Sequence, residues 1–248
     1  MRGSGTGPLP RPATHGSILG VAGRGSGPAM ATRNVPAYGQ DIMTDFEPRA
    51  DDDDDDKDDE KTSDKKDKNR AIQKILFDSR MILVFGEINE KTARETVAQL
   101  LALDAENADP IKIVISSPGG HVESGDAIHD MIQFVRSPVK VIGTGWVASA
   151  GAHIFLAAKK DNRYCTPNTR FLLHQPMGGV GGKATEIDIE AKEILKMRDR
   201  LNQIIAKETG QPIERVAKDT DRNYWMGPTE AKDYGVVTHI VDTIDEVK

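Results

Sequence analysis

Cysteine is nearly missing from this chain. Cys165 is the only one among 248 residues, so no internal disulfide can form, and a reducing compartment, the cytoplasm, is expected. Its neighbours Tyr164, Thr166 and Pro167 supply no metal-ligand spacing, so it reads as a core thiol, and neither metal nor cofactor is expected. No apolar run approaches the roughly 18 residues of a membrane helix, so no membrane partner is expected. Basic charge is not in excess either. Lys and Arg total 33 against 39 Asp and Glu, a net charge of −6, and nothing points to nucleic acid.

Acidic residues are absent before Asp41, where Gly, Pro, Ser and Arg predominate without a period. Residues 51–70 reverse this with six consecutive aspartates and then mixed Asp, Glu and Lys. Neither stretch has enough apolar surface to offset its ordering entropy. Residues 1–70 are therefore expected to form a disordered arm and 71–248 the folded domain. The basic start faintly resembles a mitochondrial transit peptide, which makes the mitochondrial matrix the less favoured location, because Gly and Pro work against an amphipathic helix. An initiator at Met30 or Met43 is the other reading of this arm.

Periodic segments begin near Ala71. Arg80 to Gly86 reads as a buried strand, and Thr92 to Leu103 as a helix with Val97, Leu100 and Leu101 inward. Ile111 to Ile115 is a second strand, followed by a helix with Ile128, Met131, Ile132 and Val135 on one face. This alternation is that of an α/β fold. Ile187, Ala191, Ile194, Leu195, Arg198, Leu201 and Ile205 form a helical stripe, with charge opposite.

Three segments in order carry chemistry. Ser117-Pro118-Gly119-Gly120 stops a strand, and its glycines let backbone N–H groups converge on a hollow. Ser149 follows, crowded only by Ala148, Ala150, Gly151 and Ala152, at an expected strand-to-helix junction where N–H groups are unpaired. The plain alternative is a serine N-cap. It is not a Gly-x-Ser-x-Gly elbow, since Val147 fills the first glycine position. His174 ends the apolar run Phe171-Leu172-Leu173, as a general base or as a hydrogen-bonded core histidine. His153 is a rival base four residues after Ser149, but a first-turn serine leans away from it. Such parts suit acyl transfer through a serine hydroxyl.

Together these motifs resemble the proteolytic subunit of the Clp protease, the ClpP family. Gly120 to Ser149 spans 29 residues and Ser149 to His174 spans 25, as in the family. Further matching segments include Met131-Ile132-Gln133-Phe134, Thr166-Pro167-Asn168-Thr169-Arg170, His174-Gln175-Pro176-Met177-Gly178-Gly179 and Ala231-Lys232-Asp233-Tyr234-Gly235. The resemblance runs from about Ile75 to Val241. It implies a spiral of β-β-α units with a protruding handle helix, a fold shared with crotonases. It implies Ser149 as nucleophile, His174 as base, and the N–H groups of Gly120 and Ala150 as oxyanion hole. Gly178 to Gly182 would be the strand that pairs with extended substrate, and Ala184 to Thr209 the handle that joins two rings. The implied activity is endopeptidase cleavage of unfolded proteins delivered by an AAA+ unfoldase. The implied assembly is a double seven-membered ring, homomeric or mixed with another Clp subunit.

Two departures stand out. The residue 49 positions after His174, where the family has a catalytic aspartate, is Asn223. An amide oxygen still orients the imidazole but adds no negative charge for the imidazolium. Asp219 and Asp221 are the nearby carboxylates, and Asp221 with Arg222 matches a pair that faces the opposite ring. The family's unfoldase-docking face is apolar at Phe134, Ile142, Tyr164 and Val241, whereas Lys112 and Val114 replace two aromatics. A silent structural subunit of a mixed ring is the alternative function. A crotonase-type acyl-CoA enzyme is disfavoured by the serine-histidine pair and the handle segment.

Overall fold

The computed structural model describes residues 58–248, with side chains from Lys68 onward. Most of the arm, and with it Met30, Met43 and the six aspartates, lies outside the described residues. Helix α1 (Asp58–Asp78) begins inside the acidic stretch, ahead of the boundary expected at Ala71. High charge excludes a buried core, but it does not exclude a helix. No Gly or Pro interrupts residues 51–78, and Glu, Lys and Ala are good helix formers.

Strand β1 (Met81–Phe85) pairs in parallel with β2 (Ile111–Ser117) across helix α2 (Glu90–Glu106). The strand is buried on one face only. Ile82 and Val84 are core residues, while Leu83 and Phe85 are exposed, so the expectation of a wholly buried strand is corrected. It is an edge strand, and period 2 sends alternate side chains to opposite faces. The inward face of α2 is Ala93, Thr96, Leu100 and Leu103, whereas Leu101 is exposed and Val97 half-buried. Leu100 is inward as expected, and the stripe runs through Thr96 and Leu103 in place of Val97 and Leu101.

Helix α3 (Val122–Phe134) buries Ile128 and Ile132, with Met131 and Val135 packed against them. Strand β3 (Val139–Ala148) is the longest of the sheet and delivers α4 (Ala150–Leu156). Strand β4 (Arg163–Cys165) pairs with the first half of β3, and β5 (Arg170–Leu173) with the second half. A register shift lies between them. Ile115 faces Gly143, but Ser117 faces Val147. Gly145 takes φ 59° within that bulge, where a Cβ would sit 2.9 Å from Ser116 Oγ.

The long helix α5 (Ala184–Thr209) follows, with the bounds that the family resemblance implies. Its buried residues are Asn202, Ile205 and Thr209, all in the last two turns. Ile187, Ile189 and Leu195 are exposed, so the outer part of α5 stands off the body. Helix α6 (Ile213–Asp219), strand β6 (Tyr224–Met226) antiparallel to β5, helix α7 (Pro228–Tyr234) and strand β7 (His239–Ile240) complete the domain. Strands run in the order β1-β2-β3-β4-β7, with β5 and β6 branching from β3.

A small second cluster joins Ile142, Tyr164, Val241 and Val247, with Val114 against it. The Tyr164 hydroxyl donates to the Lys248 carbonyl at 2.7 Å. Three of the four positions expected on an apolar docking face are therefore covered in the single chain, and Phe134 alone is exposed. Among the described residues no helix is long and apolar enough to cross a membrane, and no cluster of ligating side chains suits a metal.

Candidate active site

Ser149 stands between the last residue of β3 and the first of α4, at φ 54° and ψ −120°. Few non-glycine residues adopt positive φ, and such strain clusters at functional sites. Two backbone bonds hold it there. Its N–H donates to Leu172 O at 3.0 Å, and its carbonyl accepts from His153 N at 3.0 Å. Its side chain caps nothing, so the N-cap alternative fails.

The glycine turn packs directly on the serine. Gly119 has φ 101° and Gly120 φ 146°. A Cβ on Gly119 would lie 3.1 Å from Ser149 Oγ, and one on Gly120 would lie 2.2 Å from Ile88 O. Ile88 clamps the turn, donating to Gly119 O and accepting from His121 N, both at 2.8 Å. Gly119 N–H is taken by Ser117 Oγ at 3.0 Å. The N–H groups of Gly120 and Ala150 have no acceptor among the described residues. Those are the two donors that the family resemblance implies for an oxyanion.

His174 immediately follows β5, which pairs with the end of β3 that leads into Ser149. Its Nδ1 lies 3.0 Å from Asn223 Oδ1. Asn223 directly precedes β6, whose pairing with β5 sets Leu173 opposite Tyr224 and so brings the two together. With Asn223 as acceptor, Nδ1 carries the proton and Nε2 is the free basic nitrogen. Ser149 and His174 line one cleft with Val122, Ala150, Leu173 and Leu201, although no hydrogen bond closes between them in the single chain. Serine-histidine contacts are often loose before substrate binds.

The other candidates fall elsewhere. The Asp219 carboxylate accepts from the Tyr234 hydroxyl at 3.1 Å and pairs with Arg215 at 3.4 Å. Asp221 pairs with Arg222 at 3.7 Å, and its carbonyl accepts from Gln175 Nε2 at 2.8 Å. Neither carboxylate replaces Asn223. His153 is no base for Ser149, because its Nε2 lies 2.9 Å from Asp126 Oδ1. Sequence reasoning missed Asp126, whose partners come from helices distant in the chain. Gly178 to Gly182 is exposed and has no ladder partner among the described residues. Burial pushes the Cys165 thiol up to about 12, in keeping with an inert core position.

Comparison with known proteins places this geometry in context. The family model described as Clp protease matches residues 64–244. The ATP-dependent Clp protease proteolytic subunit 2 of Gluconobacter oxydans is 60% identical over 190 residues, covering 75% of this chain and 85% of that protein. The proteolytic subunit 3 of Rhizobium meliloti is 57% identical over 172 residues, covering 69% and 88%. Among solved structures, ClpP1 from Listeria monocytogenes superposes with a TM-score of 0.66 at 52% identity, over 71% of this chain and 99% of that one. An Asn-to-Asp mutant of the same protein gives 0.67 at the same identity and coverage. The spiral of β-β-α units with a protruding helix, as expected from the motifs, is this fold.

Proposed function

The chain belongs to the Clp protease family, and from that premise we propose that Ser149, His174 and Asn223 work together as its catalytic triad. The protein is a serine-type peptidase, the proteolytic subunit of an ATP-dependent Clp protease. The observation that carries the triad is the 3.0 Å contact of His174 Nδ1 with Asn223 Oδ1, in the cleft that holds the strained Ser149.

The chemistry follows from the atoms. Ser149 Oγ attacks the scissile carbonyl carbon while its proton passes to His174 Nε2. The carbonyl oxygen becomes an oxyanion that accepts from the Gly120 and Ala150 N–H groups, each such donor being worth about 10²–10³ in rate. As the intermediate collapses, the C–N bond breaks and the imidazolium gives its proton to the leaving amine. Water then hydrolyses the acyl-serine by the same route. Asn223 fixes the tautomer by accepting from Nδ1–H, but leaves the imidazolium without a neighbouring charge.

Substrates are unfolded proteins delivered by an AAA+ unfoldase. Exposed Gly178 to Gly182, with free pairing groups beside the cleft, suits an extended substrate backbone. The outer part of α5 presents Ile187, Ile189 and Leu195 to solvent in the single chain, which supports burial of the handle against a second ring. Seven-membered rings stacked in pairs, homomeric or mixed with another Clp subunit, are the assembly we propose. The cytoplasm suits its single buried thiol. Labelling of Ser149 by a fluorophosphonate in assembled rings, lost in Ser149→Ala together with peptide hydrolysis, tests the site. Rings that neither label nor hydrolyse would make this a silent structural subunit.

A further inference from the structure

Beside the cleft lies a polar cluster that the peptidase chemistry leaves unused, with His153 buried, Asp126 partly covered and Arg200 exposed. Asp126 sits in α3, two turns past the glycine pair. Its Oδ1 lies 2.9 Å from His153 Nε2 and accepts from Arg200 Nη1 at 2.8 Å. Its Oδ2 accepts from Arg200 Nη2 at 2.6 Å. Three helices therefore meet on one carboxylate: α3 behind the glycine turn, α4 behind the nucleophile, and α5.

The histidine is tied to the nucleophile twice. Its backbone N–H donates to Ser149 O, closing the first turn of α4, and its ring lines the cleft that Ser149 and His174 share. On its other side His129 of α3 stacks on it, with ring centroids 4.3 Å apart and planes 2° from parallel. His153 Nδ1 and His129 Nε2 are buried without hydrogen-bond partners. Arg200 lies where α5 first meets the body, next to Leu201 and Asn202.

An ion pair half open to solvent adds little to stability, so the use left for this forked pair is geometric: it fixes how three helices sit on one another. Burial favours the neutral acid at Asp126, yet the hydrogen bonds and charges of His153 and Arg200 outweigh it and hold the carboxyl well below its usual range. Asp126 and Arg200 therefore both stay charged at neutral pH.

We propose that Asp126 is a positioning residue, which through His153 and Arg200 locks the nucleophile's helix to the base of the handle and makes the placement of Ser149 depend on it. The clamp touches neither substrate nor reacting atoms. It acts through the first turn of α4, where small displacements cost about 10² in rate per ångström. The proposal rests on the peptidase reading given above.

Arg200 and His153 share no hydrogen bond and are joined through Asp126, so a double-mutant cycle measures the link. Full-length Arg200→Met, His153→Phe and the double variant are compared in assembled rings on a short fluorogenic peptide, with sites counted by fluorophosphonate. Each single change is expected to lower kcat about tenfold with KM nearly unchanged. The double variant is expected to fall no further than the worse single one. Arg200→Lys keeps the charge but not the fork, and is expected to recover part of the rate. Hydrogen exchange of the α4 amides supplies a readout that needs no activity: Arg200→Met is expected to speed it, although Arg200 makes no hydrogen bond to α4. Additive losses of kcat, a change confined to KM, or unaltered α4 exchange would overturn the proposal. If Arg200→Met does not assemble, Asp126→Asn takes its place, and unchanged kcat or α4 exchange there overturns it equally. Wild-type rings without peptidase activity would refute the peptidase reading, while the exchange measurement would still decide the clamp.

Discussion

A Cβ built on Gly119 would come within 2.6 Å of the Cβ of Ser149. The glycine turn and the nucleophile thus share one van der Waals surface, and the hollow beside them has its shape only because position 119 lacks a side chain. The turn also requires φ 101° there, which an L side chain rarely adopts.

Gly119→Ala is therefore expected to push Ser149 and the Gly120 N–H apart. The measurement is kcat with sites counted by active-site labelling. A fall of about 10² or more is expected, comparable to the loss of one oxyanion donor, with the fold kept by circular dichroism. Full activity in this variant would mean that the turn does not border the reacting atoms.

Asn223→Asp puts a carboxylate on His174 Nδ1–H and stabilises the imidazolium of acylation. In a buried triad the reverse change costs about 10⁴. Asn223 is exposed, where a charge is screened, so a rise in kcat/KM of about tenfold is expected. Ser149→Ala is expected to abolish turnover, and His174→Ala to come close to it. An unchanged rate in Asn223→Asp would show that position 223 does not serve His174 during the reaction.

His129 makes stability depend on pH. Burial, then the neighbouring His153, lowers its pKa below 6.5, while Asp130 and Asp126 on its own helix pull the other way. A base whose folded pKa is depressed binds fewer protons folded than unfolded. Its contribution is complete above 6.5 and is lost as pH falls from there toward the folded value. Asp126, paired with Arg200 of α5, has a depressed carboxyl pKa, so its own contribution is lost only in more acidic solution. His129→Phe keeps a stacking ring and removes the titration. Its Tm is expected to drop less between pH 7 and 5 than that of the parent; parallel curves would contradict this.

Arg163 is fully buried and holds the C-terminal end of α4 to that of α5. It donates to the carbonyls of Ala158, Leu156 and Glu208 at 2.8, 2.9 and 2.8 Å, and pairs with the Glu208 carboxylate. Arg163→Met leaves three carbonyls without their donor and Glu208 with Lys207 at 3.3 Å as its remaining partner, a change expected to cost about 3–5 kcal/mol. Urea denaturation should show a midpoint shift of that size, and a shift below about 1 kcal/mol would show that Glu208 reaches solvent when released.

Periodicity carries across sequence distance only as far as one element extends. That is why the stripe of α5 was legible from Ile187 to Ile205, while its end residues came from the family resemblance; Gly210 stops it at φ 82°. The order and spacing of Gly120, Ser149 and His174 were equally legible, because short peptide motifs fix local backbone geometry. Asn223 was reached through the family resemblance alone, as the residue standing where an aspartate is expected. The inward face of α2 and the exposed side of β1 were not legible. Which face is buried depends on what packs there, and the apolar pattern of α2 permits two neighbouring stripes. The burial of Ile142, Tyr164 and Val241 beneath Val247 was likewise hidden, since their neighbours lie as much as 105 residues apart in the chain, from Ile142 to Val247. Asp126 had no signature at all. A lone carboxylate in a helix is ordinarily a solvated charge, and only the tertiary structure set it between His153 and Arg200. The sequence determined which groups are able to react, through residue type and local backbone. Tertiary packing decided which of them meet, because a hydrogen bond operates over about 3 Å and the chain encodes no distance between residues that fold together from far apart.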